Sequence, residues 1–413
     1  MPLTFLRFVF LTLAWSGCIA PAWAGPPPAA SEDWLRGAVL DAGYPGARLL
    51  VARGEADGDD ATLVDLAIGH ADIARTRPLR GDAIYRIHSM TKPIVSAAAL
   101  RLVGQGHARL DDPVAAHLPQ LAGLQVLEDG GLRDPARPLT IRHLLTHTAG
   151  FAVGAGEALR RREAAALEHS ADLADLVGRL RGLPLERDPG TRFVYDGLAT
   201  DVLGRLVEVW SGQPLDAYLQ ASFFAPLGMR DTGFEVPARE RGRLVELSRV
   251  DGHGRLLRAD EPPGHVPGTR LRPYPSAAGG LYSTASDYLA FARMLLARGR
   301  HGPLQLVPAD LVEAMFQDQL APMGLAHPYV DEGPGRGFGL GLSVLLDPAA
   351  IDRAGAPGQA GWTGSASTYF VIDPARSAIA LLMLQHLPGR AASGELPRVA
   401  LSFYNHVQQV PVP

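Results

Sequence analysis

Strand-forming runs stand only near the two ends of this chain, and that division constrains its fold more than any other feature. Residues 47–52 and 63–68 read as strands joined by an acidic turn at 56–60, and late strands follow at 340–346, 367–372 and 378–384. Between them the apolar residues recur at helical spacing, over 94–103, 141–146, 157–180, 198–210, 215–224, 286–296 and 309–316. Helices are also expected at 32–40 and 397–407, and an Arg-, Pro- and Gly-rich excursion at 235–275 suits a loop over a site mouth. The fold class this implies is α/β (α+β): one antiparallel sheet built from both chain ends, flanked by helices, with a mostly helical domain inserted. Residues 32–88 and 276–413 would form the sheet domain and 89–275 the helical one. At 413 residues and 47% hydrophobic content, the chain can bury a core large enough for two closely packed lobes.

At the junction of the two domains lies Ser89-x-x-Lys92. Lysine and arginine total 39, and Lys92 is the only lysine. Arginine stays protonated in proteins, whereas a buried lysine can be driven neutral and act as a base. A serine hydroxyl becomes a nucleophile when a neighbour takes its proton, and positions i and i+3 share a helix face. Pro93 fits only the first turn of a helix, so the helix should begin close to Ser89, where free N–H groups and the positive dipole end suit an oxyanion. Ser89 reads as a nucleophile and Lys92 as its base.

The N-terminus carries Arg7, an apolar run from Phe8 to Ala20 and then Ala22-Trp23-Ala24. That layout predicts a signal peptide over 1–24, cleaved after Ala24, with 25–31 an extended leader and export to the periplasm or beyond. A lipoprotein signal ending at Cys18 is the rival. Cys18 is the only cysteine, so cleavage after Ala24 leaves no disulfide and no cysteine metal site. A net charge of −4 gives no reason to expect nucleic acid or an anionic membrane surface as partner. Nothing after the signal reaches membrane-spanning length, and neither a cofactor nor an obligate protein partner is indicated.

Further stretches join the Ser89 segment: Leu144-Leu145-Thr146-His147-Thr148-Ala149-Gly150-Phe151, Pro226-Leu227-Gly228-Met229, Gly279-Gly280-Leu281-Tyr282-Ser283-Thr284 and Gly361-Trp362-Thr363-Gly364-Ser365. In order and spacing they resemble the serine β-lactamase-like superfamily of class C β-lactamases and DD-peptidases, above all the family VIII carboxylesterases. The resemblance spans about residues 35–405. It implies that Ser89 and Lys92 are the first motif and that Tyr195, in Phe193-Val194-Tyr195-Asp196-Gly197, is the tyrosine of the second. It further implies that Trp362, Thr363 and Gly364 replace Lys-Thr-Gly as the third motif and bind substrate. The oxyanion hole would be the backbone N–H groups of Ser89 and Ser365. Two family residues are missing. Gly197 stands where the second motif has asparagine, and the chain's only asparagine is Asn405; Trp362 stands where the third has lysine. Both help to hold a β-lactam, so the balance favours an ester, with Trp362 as an apolar wall.

His143 and His147, at i and i+4, could be metal ligands on one helix face, but no glutamate follows His143 and no third ligand is evident, so a structural role is preferred. His88 adjoins Ser89, and neighbours on a helix point apart. No serine has glycines two positions to either side, so the nucleophile elbow of α/β-hydrolases is absent. The expected function is that of an exported serine hydrolase acting on a small-molecule ester or amide through an acyl-serine. A β-lactamase, a DD-carboxypeptidase or D-amino-acid amidase, an acyltransferase, and a low-turnover binding protein on the same scaffold remain the alternatives.

Overall fold

In the computed structural model, strands from the two chain ends meet in one seven-stranded antiparallel sheet. The structure describes residues 28–54, 62–153, 155–259, 262–325, 335–389 and 394–412, so the signal segment, Cys18 and the acidic turn at 56–60 lie outside the described residues. The strands are β1 (Gly46–Arg53), β2 (Thr62–Gly69), β3 (Arg336–Phe338), β4 (Ser343–Leu345), β5 (Ala360–Gly364), β6 (Thr368–Asp373) and β7 (Ala378–Met383). Their order across the sheet is β3-β4-β5-β6-β7-β1-β2, so the N-terminal hairpin extends the C-terminal strands, with Leu50 opposite Leu381.

Side chains on a strand alternate between faces, and here both faces are covered. Leu50, Ala52, Phe370, Ile372, Ile379 and Leu381 enter the larger core, shared with the inserted helices. Leu49, Val51, Tyr369, Val371, Ala380 and Leu382 enter a smaller core on the opposite face. That second face is closed by α1 (Pro28–Leu35), through Leu35, and by α6 (Ala400–Gln409), through Phe403 and Val407. Double burial is why these strands read as nearly unbroken apolar runs. The inserted stretch supplies α2 (Thr91–Gly104), α3 (Ile141–Leu145) and α4 (Gly197–Ser211), and α5 (Ala285–Leu296) follows it. Helix α2 is buried on all sides from Thr91 to Leu100, as an almost uniformly apolar helix must be.

Four expectations need correction. Pro28–Ala30 is not extended leader but the first turn of α1, where a proline's fixed φ and missing donor cost little. The helix expected over 157–180 is broken into Glu157–Ala164 and Leu173–Leu180. Ala166 turns left-handed at φ 48°, and the Asp172 carboxylate caps the second piece by accepting from the Asp175 N–H. Strand β3 escaped notice among the glycines of 335–341; Gly337 is required because a Cβ there would stand 2.5 Å from Asp318 Oδ1. The excursion at 235–275 contains a hairpin of Ser248–Val250 with Leu256–Arg258, whose first strand pairs in parallel with His386–Leu387.

Candidate active site

Ser89 lies in a 3-10 turn, His88–Met90, that runs directly into α2, with Pro93 in the first turn as expected. The turn is clamped from several sides. Tyr85–Arg86 pairs with Tyr282–Ser283, and the Ile87 N–H donates to Leu281 O at 3.1 Å. Thr91 Oγ1 accepts from the Leu281 N–H at 3.2 Å, and the Tyr288 hydroxyl of α5 donates to Met90 O at 2.9 Å. The Gln385 side chain accepts from the Arg86 N–H and donates to Arg86 O. His88 adopts φ 43°, the cost of entering the turn.

Lys92 is buried, and its Nζ donates to Ser89 Oγ at 3.1 Å and to the Ala278 carbonyl at 2.6 Å. The same Nζ lies 4.8 Å from the centre of the Tyr195 ring. The structure therefore brings together the three residues expected to be catalytic. It adds Asp201 of α4, which sequence reasoning missed. Asp201 Oδ1 accepts from the Ser276 hydroxyl and the Ala278 N–H, both at 3.0 Å, so it fixes the peptide whose neighbouring carbonyl holds Lys92. Burial pushes this carboxyl up to about 6, against the two hydrogen bonds and the Lys92 charge.

Tyr195 is packed against His147 (ring centres 4.8 Å apart) and Trp362 (5.1 Å). His147 brackets the tyrosine in the chain: its carbonyl accepts from the Val194 N–H at 2.8 Å and its Nδ1 from the Asp196 N–H at 3.4 Å. Burial, with the nearby Lys92 charge, holds this imidazole down at about 3, so it is a neutral acceptor. Asp196 in turn caps α4 at Leu198 and pairs with Arg162 at 3.0 Å. His143 does not share a helix face with His147. It lies in α3, where its ring accepts from the Thr140 N–H in a capping box, while His147 follows the helix at φ 53°. Among the described residues no group of three His, Cys, Asp or Glu could hold a metal ion. The whole 144–151 motif thus serves as a cradle for the Tyr195 segment. Gly197, where the resemblance expects asparagine, approaches Ala278 so closely that a Cβ would meet the alanine methyl at 3.1 Å.

Strand β5 carries the third motif against the Ser89 turn. A Cβ on Gly364 would stand 2.4 Å from Ile87 O, so only glycine lets the strand approach this far. The approach brings Ser365 to the same cavity as Ser89, a space of about 370 Å³ that Pro262, Leu271 and Arg272 of the 235–275 excursion also line. His88 lines it too, contrary to the expectation that it would point away; burial and the Arg86 charge hold its imidazole at about 3. Trp362 is 5% exposed, with its ring against Tyr195 and Phe338. Thr363 and Gly364 line, with Ser365, a separate hollow of about 570 Å³.

Residues 31–403 match the family model described as Beta-lactamase. The chain is 36% identical over 358 residues to Esterase EstB of Burkholderia gladioli, covering 80% of this chain and 84% of the relative. It is 30% identical over 335 residues to monacolin J acid methylbutanoyltransferase of Aspergillus terreus, covering 75% and 79%. Among solved structures, EstCE1, described as a hydrolase with promiscuous acyltransferase activity, superimposes with a TM-score of 0.74 at 25% identity over 92% of this chain and 99% of its own.

Proposed function

We propose, since the chain belongs to the Beta-lactamase family and is a serine hydrolase, that it cleaves carboxylic esters through an acyl-Ser89 intermediate formed at a Ser89–Lys92–Tyr195 site. The observation that carries this reading is the 3.1 Å contact between Lys92 Nζ and Ser89 Oγ. Ser89 Oγ attacks the ester carbonyl carbon while Lys92, with Tyr195 beside it, takes the hydroxyl proton. The resulting oxyanion lies between the N–H groups of Ser89 and Ser365, each contributing on the order of 3 kcal/mol to the transition state. Collapse breaks the bond to the alkoxy oxygen, and the proton passes by way of Tyr195 to the departing alcohol. Water then attacks the acyl-serine, its proton returns to Ser89 Oγ, and the carboxylic acid leaves. The Ala278 carbonyl and Asp201 hold the amine in place throughout.

Ester rather than β-lactam is favoured by Gly197 and Trp362, which remove the amide and the amine that the resemblance assigns to β-lactam recognition. A second reading, acyl transfer to an alcohol, has its own support in the relatives, because one is an acyltransferase and another combines both activities. The two differ only in what attacks the acyl-enzyme. Export follows from the charged, apolar and small-x-small order of residues 1–24, with mature protein beginning at Gly25. The N-terminal sequence of the protein recovered from the periplasm or medium tests that part.

The activity is tested with p-nitrophenyl acetate, butyrate and octanoate beside a chromogenic cephalosporin, for the parent and Ser89→Ala. Ester turnover abolished in Ser89→Ala is expected. Cephalosporin turnover without ester turnover would move the reading to a β-lactamase, and a parent no better than Ser89→Ala would make the protein a binding scaffold. An added alcohol that speeds breakdown of the acyl-enzyme would identify a transferase.

A further inference from the structure

Arginine supplies every cationic side chain of this protein except Lys92, so residue type alone says nothing about an arginine; position does. Arg272 stands where two cavities meet. One is the space of about 370 Å³ that Ser89 and Ser365 line; the other, about 430 Å³, shares Arg272, Ser276 and Ala278 with it. Among the described residues, the other side chains that line the Ser89 cavity carry no charge at neutral pH. Pro262, Pro263 and Leu271 are apolar, Ser276 donates its hydroxyl to Asp201, and His88 is held neutral by burial. Among the described residues no carboxylate forms an ion pair with Arg272. Arg162, by contrast, which lines the neighbouring cavity, is paired with Asp196 at 3.0 Å.

We propose that Arg272 receives a carboxylate of the substrate, so that the preferred esters carry an anionic group close to the scissile bond, a conclusion resting on the ester-hydrolase reading of Ser89. A guanidinium offers a fork of donors matched to a carboxylate, and in a walled cavity the pairing is screened less than on the surface. The charge distribution also says on which side the anion lies. The neighbouring cavity is lined by Glu163, Glu168 and Asp201 as well as the paired Arg162 and Asp196, so it repels an anion. A carboxylate held by Arg272 therefore remains on the Ser89 side. The chemistry of cleavage is unchanged: water and a half-ester give the dicarboxylic acid and the alcohol, or an acylated hydroxy acid gives its two acids.

The test compares substrates of matched size with the unaltered protein and with Arg272→Gln and Arg272→Lys. On the acyl side the pair is p-nitrophenyl hexanoate and the p-nitrophenyl half-ester of adipic acid; on the alcohol side it is methyl 4-acetoxybenzoate and 4-acetoxybenzoate. The p-nitrophenyl ester of 6-aminohexanoate gives the opposite charge. In one of the two pairs the anionic member should be favoured in kcat/KM by about tenfold or more, chiefly through KM, as a charge-assisted hydrogen bond allows. Arg272→Gln should bring that ratio to one or below, and Arg272→Lys should keep part of it. The readout is a ratio, so a partly misfolded variant does not shift it. If Arg272→Gln does not fold at all, the ratio of the parent is followed from about 0.01 to 1 M salt, where the screening length falls from about 30 to 3 Å and the preference must shrink. No anionic preference in either pair, a preference that survives Arg272→Gln or is indifferent to salt, or a preference for the ammonium ester would each overturn the assignment. Ser89-dependent hydrolysis of the neutral esters alone would leave the hydrolase reading standing without it.

Discussion

Replacing Asp201 by asparagine separates what holds the site from what holds the fold. One oxygen of this buried carboxylate accepts from both Ser276 and Ala278 at 3.0 Å, and the Ala278 carbonyl holds Lys92 at 2.6 Å. The folded-state value of about 6 lies above the ordinary 3.8, with burial as the leading cause. A raised carboxyl favours the fold most below pH 3.8, and that contribution is lost as pH rises through about 6. The shift of roughly two units corresponds to a cost on the order of 3 kcal/mol for keeping Asp201 ionised at neutral pH. Asparagine avoids that cost, which is already net of the two hydrogen bonds, but puts an amide donor where the carboxylate had its second oxygen, a group whose burial costs about 1–3 kcal/mol. The terms nearly cancel, so the melting temperature of Asp201→Asn at pH 8 should change little. Catalysis should not be spared, because the Ala278 peptide loses the charge that anchors it: kcat/KM for p-nitrophenyl butyrate should fall about tenfold or more. The pH profile is the diagnostic readout. The parent should lose activity below about pH 6 as Asp201 takes up its proton, and the variant should lack that acid limb. An identical limb in both proteins would refute the argument, since another group would then be titrating.

Lys92→Arg puts a permanently protonated guanidinium where the mechanism needs a neutral amine to accept the Ser89 proton, and kcat should fall about 10²- to 10⁴-fold with the fold retained by circular dichroism. Gly364→Ala forces a Cβ to within 2.4 Å of Ile87 O, so it should destabilise by about 1–3 kcal/mol and impair ester turnover; an alanine variant with parental melting and activity would contradict the close approach of β5 to the Ser89 turn. His88 and His147 both lie far below the ordinary 6.5, chiefly through burial, so their contribution is complete above pH 6.5 and is lost as pH falls towards about 3. At pH 5 that amounts to about 2 kcal/mol each, and urea melts at pH 8 and pH 5 should differ by at least this much once His147→Gln is used to remove one of the two.

The sheet was legible because its strands are buried on both faces: 47–52, 367–372 and 378–384 are apolar enough to be found without a partner in view. Strand β3 was not, since the glycines that admit Asp318 and its neighbours erase the pattern. Ser89 and Lys92 were legible because their relation is local, one turn of one helix, and because a single lysine stands out against arginine everywhere else. Tyr195 could be picked out by its setting, after Pro189-Gly190 and before a helix. Asp201 and Ala278 could not. A carboxylate inside α4 gives no sign that it is buried, and a backbone carbonyl has no residue type to reveal it. The structural role preferred for the two histidines fits their hydrogen bonds, but the shared helix face that their i, i+4 spacing suggested does not exist, because α3 ends at Leu145 and His147 is already in the following turn.

The division between local and distant determinants explains how such a site can be built. The Ser89–Lys92 pair is three residues apart, yet every group that fixes its geometry comes from far away in the chain. Ala278 and Tyr288 follow it by nearly two hundred positions, and Gly364 and Gln385 by nearly three hundred. Those anchors belong to β5, the stretch after β7, α5 and the segment leading into it, while Tyr195 and Asp201 belong to the inserted part, just before α4 and within it. Ser89 therefore lies at the seam where the chain's two ends meet its middle, held by groups from both. Contacts of this separation form late because the loop-closure entropy must be met first. The amine should consequently reach its working position only when the sheet has closed through β7 and β1. Partial unfolding that frees the 276–283 segment should abolish Ser89 acylation while much of the helical structure remains, so that activity is lost at lower denaturant than the far-ultraviolet dichroism. Coincident transitions by the two measures would show instead that the seam and the helices unfold as one unit.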